Sequence, residues 1–197
     1  TISQESQQIS QASFVDLFNK NLVERRFAPV LWDCIDRTAL SQADLVDKEM
    51  PSAMHDIKFS TESGEEIIIA TTRPELLPAC VAVMVHPEDE RYKHLHGKNA
   101  VTALFGKKVK IIPDDLVQME KGTGAVMCCT FGDETDIKWW QKHNLELCVI
   151  VSQDGKIDGI KIKEARDAII QNLTEKNLLI KSTPITHAVK CAERSGA

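Results

Sequence analysis

Four short runs of β-favouring residues, each bounded by proline or glycine, constrain this chain more than any other feature. Glu66-Ile67-Ile68-Ile69-Ala70-Thr71 is rich in β-branched side chains and follows the turn signal Ser63-Gly64. Val81 to His86 is closed by Pro87, and Val109 to Ile112 is stopped by Pro113. Ala125 to Thr130 is entered through Gly122-Thr123-Gly124. Runs of this length and composition read as strands. Proline at their ends removes a backbone donor and stops the ladder there. A further strand is expected over Leu147–Val151, and one over Ile185–Val189 closes the chain. Asp154-Gly155 and Asp158-Gly159 mark the tight turns of a hairpin between them.

Helices interrupt this pattern. Residues 1–12 are rich in Ser and Gln and read as a loose arm, after which Ser13-x-x-Asp16 resembles a capping box opening a helix. A second helix is expected from near Asp133 to His143, with Asn144 as its stop. A third covers about Ile162 to Lys176, with Ala165, Ile169, Ile170 and Leu173 on one face. The fold class is therefore α+β, β-rich, with a partly closed β-barrel core and peripheral helices. Neither a repeat nor a linker breaks residues 1–197, which read as a single domain. The first and last residues, Thr1 and Arg194-Ser195-Gly196-Ala197, read as cut from a larger protein.

Composition excludes some functions. The longest apolar run, Leu76 to Val85, contains Pro78 and is too short to cross a bilayer as a helix, so no membrane contact is expected. The six cysteines, Cys34, Cys80, Cys128, Cys129, Cys148 and Cys191, lack C-x-x-C and zinc-ligand spacing. In a chain of 197 residues they read as free thiols in a reducing cytoplasm. His94 and His96 read as loop residues, and no metal is expected. The 24 Lys+Arg and 29 Asp+Glu give 24 − 29 = −5, a poor balance for gripping nucleic acid unaided. Lys107, Lys108 and Lys110 form the best basic cluster, and read as a solvated strand face.

Gly-x-Ser-x-Gly, His-Glu-x-x-His and Walker motifs are all missing. Cys128 and Cys129 should point to opposite faces of their strand, one inward and one outward or into a cleft. With no histidine or cation close in sequence to activate them, both read as structural. Asp133-Glu134-Thr135-Asp136 sits where a strand ends and a helix starts. Its acids can cap the helix, or a carboxylate there can hold a ligand's ammonium group. Thr71-Thr72-Arg73-Pro74-Glu75 follows a strand, and Arg73 can bind a phosphate or carboxylate or simply pair with Glu75. The glycines of Gly122-Thr123-Gly124 permit close backbone approach or positive φ.

In combination and in this order, Ala70–Glu75, Val85-His86-Pro87-Glu88-Asp89-Glu90-Arg91-Tyr92, Gly122–Val126 and Gly132-Asp133-x-x-Asp136 resemble the editing domain of class I aminoacyl-tRNA synthetases. This is the connective-polypeptide insertion of the valyl, isoleucyl and leucyl enzymes. Ala28–Trp32 with Arg37–Ala43 is similar to the strands leading into it, and Cys191-x-x-Arg194-Ser195-Gly196 to its exit. The resemblance spans nearly the whole chain and is strongest to the valyl branch, in its archaeal-type form. The chain departs from the commoner valyl pattern at Leu76 and Cys129, where that pattern has Thr, at Met127, where it has Lys, and at Gly132, where it has His.

The resemblance implies post-transfer editing, the hydrolysis of threonine misattached to valine tRNA. Binding alone separates threonine from valine by only on the order of 100-fold in valyl enzymes themselves, which a second, hydrolytic sieve remedies. Asp136, Asp133 and Thr72 are the implied catalytic residues, with Asp136 gripping the α-ammonium. Thr71, Arg73, Gly122, Thr123, Gly124, Cys129 and Phe131 are the implied substrate-binding residues. The partners implied are the aminoacylated tRNA end and the rest of a parent synthetase, with no cofactor for this domain. The alternatives are an isoleucyl editing domain removing valine, a non-catalytic tRNA-binding module, and a thiol hydrolase using Cys128 or Cys129.

Overall fold

In the computed structural model, which describes residues 2–197, the chain divides into one unit ending at Val30 and another spanning Leu31–Ala197. The first carries α1 (Gln4–Asn19), none of whose residues is buried. Its cap is Ser3, whose hydroxyl accepts from the Ser6 amide at 3.3 Å. The helix therefore starts at Gln4 rather than Ser13, and residues 4–12 are helical instead of a loose arm. Glutamine is a good helix former, so a capped polar stretch simply extends the helix into solvent. Thr1 lies outside the described residues.

The second unit contains β1 (Leu31–Asp33), β2 (Thr38–Leu40), β3 (Leu45–Thr61), β4 (Glu66–Thr71), β5 (Cys80–Val85), β6 (Asn99–Val101), β7 (Lys108–Pro113) and β8 (Ala125–Cys129). After these come α2 (Glu134–His143), β9 (Lys156–Ile157), β10 (Ile160–Lys161), α3 (Ile162–Glu175) and β11 (Leu179–Ala192). The main sheet runs β11-β3-β6-β7-β5-β8, with β4 also paired to β3. Only β5 and β7 are parallel. The sheet curls until β4 packs against β8 without joining its ladder, a half-closed barrel.

Alternation explains which side chains fill the barrel. Ile57 and Phe59 of β3 oppose Ile69 and Ile67 of β4, and all four are buried. Val83 and Val85 of β5, Ile111 of β7 and Met127 of β8 complete the same core. The other face of β5 is also covered: Val81 and Met84 pack with Cys128 and Trp139, the latter from α2. That is why β5 is apolar along its length. Cys128 and Cys129 do take opposite faces, but both are buried, so neither points outward. Burial and the nearby Asp136 carboxylate push the Cys128 thiol far up, and it stays protonated. Either thiol is unsuited to act as a nucleophile.

Two other expectations need correction. Leu147–Val151 forms no strand, only a single bridge from Val151 to Ile157. Thr130 occupies its backbone instead, accepting from the Cys148 amide at 2.8 Å and donating to the Cys148 carbonyl at 3.0 Å. The closing strand is much longer than Ile185–Val189, because β11 pairs with β3 from Leu179 to Ala192. The hairpin β9–β10 forms as expected. Lys108 pairs with Glu62 at 2.8 Å and Lys107 with Glu146, so the basic cluster is a solvated, ion-paired face.

Candidate active site

The loops at both ends of β8 meet the chain as it leaves β4. At one end, Gly122 has φ +60° and lies against Ala70, so closely that a Cβ on it would fall 2.4 Å from the Ala70 Cβ. The approach and the left-handed backbone both demand glycine. Tyr92 steadies this loop, its hydroxyl donating to the Thr123 carbonyl at 2.8 Å. Arg91 grips the buried Asp89 through Nε at 2.8 Å and Nη2 at 2.6 Å, and also reaches the Met119 carbonyl at 3.0 Å. Gly124 must lack a side chain, since its φ is +78° and a Cβ would fall 2.8 Å from the Met119 carbonyl oxygen. Gly122→Ala is expected to destabilise the fold by about 2 kcal/mol and loosen the loop. Urea unfolding would measure it, and an unchanged midpoint would refute the tight approach.

At the other end of β8, Asp133 caps α2. Its Oδ1 accepts from the Thr135 amide at 2.7 Å and the Asp136 amide at 3.2 Å. Asp136 completes a capping box, its Oδ2 accepting from the Asp133 amide at 2.8 Å. Its Oδ1 accepts from the Cys129 amide at 2.9 Å. Asn144 ends the helix in the left-handed conformation. Asp136 is buried, and burial is the main cause that raises its pKa to about 6. A carboxylate held ionisable near neutrality at a strand–helix junction fits an ammonium anchor. Phe131 stands edge-on to Trp140, ring centres 5.2 Å apart.

Arg73 ties the chain leaving β4 to the Asp133 end of this region. Its Nη1 donates to the Gly132 carbonyl at 2.5 Å, and its Nε approaches Glu75 Oε1 at 3.4 Å. Its amide donates to Thr71 Oγ1 at 3.0 Å, which shapes the turn. Arg73 Nη2 and the Thr72 hydroxyl make no hydrogen bond among the described residues. Cys129 is buried, and its thiol donates to the Leu76 carbonyl at 3.4 Å. Thr71, Thr72, Arg73, Cys129, Phe131, Asp133 and Asp136 thus share one region, with Gly122-Thr123-Gly124 on its far border. Hollows of about 270 Å³ beside Asp33 and Arg194 and about 380 Å³ beside Phe59 and Leu178 lie elsewhere.

Of three polar residues bordering the region, His55 and Arg166 escape a reading of the sequence, and Glu75 is seen there only as a partner for Arg73. Glu75, in the 3₁₀ segment Pro74–Ala79, is buried and held by Arg166 of α3. His55 of β3 lies opposite Thr71 in register and bonds Ser182 Oγ through Nδ1 at 2.9 Å. Arg166 did leave a signal. It falls within the apolar stripe of Ile162, Ala165, Ile169 and Leu173, where a guanidinium needs a reason.

A family profile described as "Leucyl-tRNA synthetase, editing domain" matches residues 90–193. Valine--tRNA ligase of Rickettsia rickettsii (strain Sheila Smith) is 58% identical over 205 residues, which take in all of this chain and 25% of that protein. Valine--tRNA ligase of Ehrlichia canis (strain Jake) is 53% identical over 212 residues, again all of this chain and 26% of the relative. The chain therefore spans about a quarter of the length of these curated relatives. Among solved structures, the ternary complex of Agrobacterium radiobacter K84 agnB2 LeuRS with tRNA and LeuAMS is similar in fold. The TM-score is 0.54 at 18% identity, over 90% of this chain and 32% of that one.

Proposed function

We infer the activity from one premise: the chain belongs to the leucyl-tRNA synthetase editing-domain family. The activity proposed is hydrolysis of threonine esterified to the terminal ribose of valine tRNA, within a cytoplasmic valine--tRNA ligase. Residues 1–197 are taken as one editing domain of that larger enzyme. The relatives at 53–58% identity support the valyl assignment. The observation that carries the chemistry is the Arg73–Gly132 bond, which joins the Thr71-Thr72-Arg73 turn to the Asp133–Asp136 cap.

Each residue has a proposed part. Asp136 holds the α-ammonium with the lone pairs that its two backbone donors leave free. Thr72 and Arg73 Nη2 face the ribose or phosphate. Asp133, exposed beyond its cap bonds, accepts from the threonine hydroxyl or orients water. Gly122-Thr123-Gly124 leaves room for the RNA end to approach backbone. An aminoacyl ester is already activated, so placing water and stabilising the oxyanion suffice. A site that pairs with a hydroxyl leaves a polar group unsatisfied when valine enters, which protects correctly charged tRNA.

The full-length protein is expected to hydrolyse the threonyl ester of valine tRNA and spare the valyl ester. Between pH 5 and 7 the rate is expected to rise with an inflection near 6. Below that inflection Asp136 is protonated and cannot hold an ammonium group. Binding of tRNA without hydrolysis would indicate a non-catalytic module. Preferential loss of valine from isoleucine tRNA would indicate an isoleucyl domain.

A further inference from the structure

Arg166 is the one residue of α3 that reaches the candidate site's supports by hydrogen bonds. Its Nε donates to Glu75 Oε2 and its Nη2 to Glu75 Oε1, both at 2.8 Å. The Glu75 side chain has 0% exposure. A carboxylate so far from water persists only when paired and hydrogen-bonded, and a bidentate guanidinium meets both needs. Glu75 Oε1 also faces Arg73 Nε, at 3.4 Å. Arg73 Nη1 then holds the Gly132 carbonyl at 2.5 Å. The next amide, that of Asp133, donates to Asp136 at 2.8 Å. The bonds thus run without a gap from α3 to the carboxylate proposed as the ammonium anchor.

We propose that Arg166 is a positioning residue for ester hydrolysis: its fork on Glu75 orients Arg73, which fixes the Gly132 carbonyl and with it the Asp133–Asp136 turn. The role rests on the editing function proposed above. It depends on fork geometry as well as charge. A lysine ammonium is a point donor and cannot bind both Glu75 oxygens in one plane while leaving Oε1 aligned with Arg73. A small displacement of the turn moves Asp136, and an error near 1 Å in a positioning group is enough to slow a reaction severely.

The test uses the full-length protein with threonyl-tRNA for valine as substrate. Arg166→Met is expected to lower kcat by about tenfold or more, while KM moves by less than about threefold. Arg166→Lys is expected to resemble Arg166→Met rather than wild type. The inflection of rate against pH should also move below its wild-type position. Asp136 is faced there by Asp133 and by the thiols of Cys128 and Cys129, and a loosened turn admits water beside it. A residue that merely braced the fold would scale the rate with the folded fraction, read by thermal melting, and leave the inflection in place. Should Arg166→Met not fold, Arg166→Lys carries the test. Wild-type kcat in a folded variant, or a loss that only follows the folded fraction, would overturn the positioning role alone. A wild-type protein without hydrolysis would overturn the editing function and this role with it.

Discussion

Asp136→Asn is expected to lower kcat/KM for the threonyl ester on the order of 100-fold or more, with little change in melting temperature. The kinetic loss is that of a buried charge pair with one partner neutralised, about 2–5 kcal/mol. The unchanged stability comes from proton linkage. Folding raises the Asp136 pKa from 3.8 to about 6. The native state therefore holds this proton more tightly than the unfolded chain does. The stability it contributes is full below 3.8 and lost as pH rises through about 6. At pH 7.5 the ionised carboxylate is a burden on the fold, and a neutral amide of the same shape removes it. Against that gain, the amide can accept from only one of the Cys129 and Asp133 amides that Asp136 now serves. The two changes oppose each other. A carboxylate ionised at a cost to the fold is a candidate functional group. The decisive measurement is single-turnover hydrolysis beside a melting curve. Full activity in Asp136→Asn would end the anchor assignment, and a collapse in melting temperature would make the carboxylate chiefly structural.

Glu75→Ala is the largest expected loss of stability. It strips the shared partner from two arginines and opens a hole in a buried segment. Breaking a buried ion pair by removing one member destabilises by about 3–5 kcal/mol. The low end applies here, because the Arg73 and Arg166 side chains are 37% and 34% exposed and water can reach them. About 3 kcal/mol corresponds to a fall of roughly 6–12 °C in melting temperature for a domain of this size. Calorimetry would read it directly. A shift under about 2 °C, within the range of an ordinary surface substitution, would mean that neither guanidinium depends on Glu75. Glu75→Gln should fall between, since it keeps the shape and one good acceptor.

Local chemistry announced some elements and not others. β4, β5, β7 and β8 were evident because each has a buried face and a proline or glycine at its border. Asp133 and Asn144 marked the ends of α2, and both do so by forming the cap the residue type favours. β3 was not read at all, and its first half gives no signal. Asp47-Lys48-Glu49-Met50-Pro51 is exposed and pairs only with β11, so no apolar alternation betrays it. Pro51 and Pro184 even argue against strand, yet the edge of a two-stranded ribbon tolerates them. Leu147–Val151 erred the other way: its composition is that of a strand, but a threonine side chain took the place of a neighbouring ladder. Among the candidate site residues, Asp136, Arg73 and the glycines were singled out through the resemblance, since by type and spacing alone they read equally as a cap, a turn and a loop. Glu75–Arg166 and Arg73–Gly132 were not, because such pairings span 91 and 59 residues of sequence and are made only by the curl of the sheet.

Gly132 carries a consequence for where the acid can sit. Its backbone is of a kind open to any residue, yet a Cβ there would fall 2.5 Å from Asp136 Oδ2 and 3.6 Å from Leu76 Cδ1. Any side chain at this position, the histidine that the resemblance associates with the commoner valyl pattern included, displaces the Asp136 carboxylate from the place it holds here. The resemblance has an aspartate at 136 in both patterns, so a side chain at 132 re-aims that acid rather than replacing it.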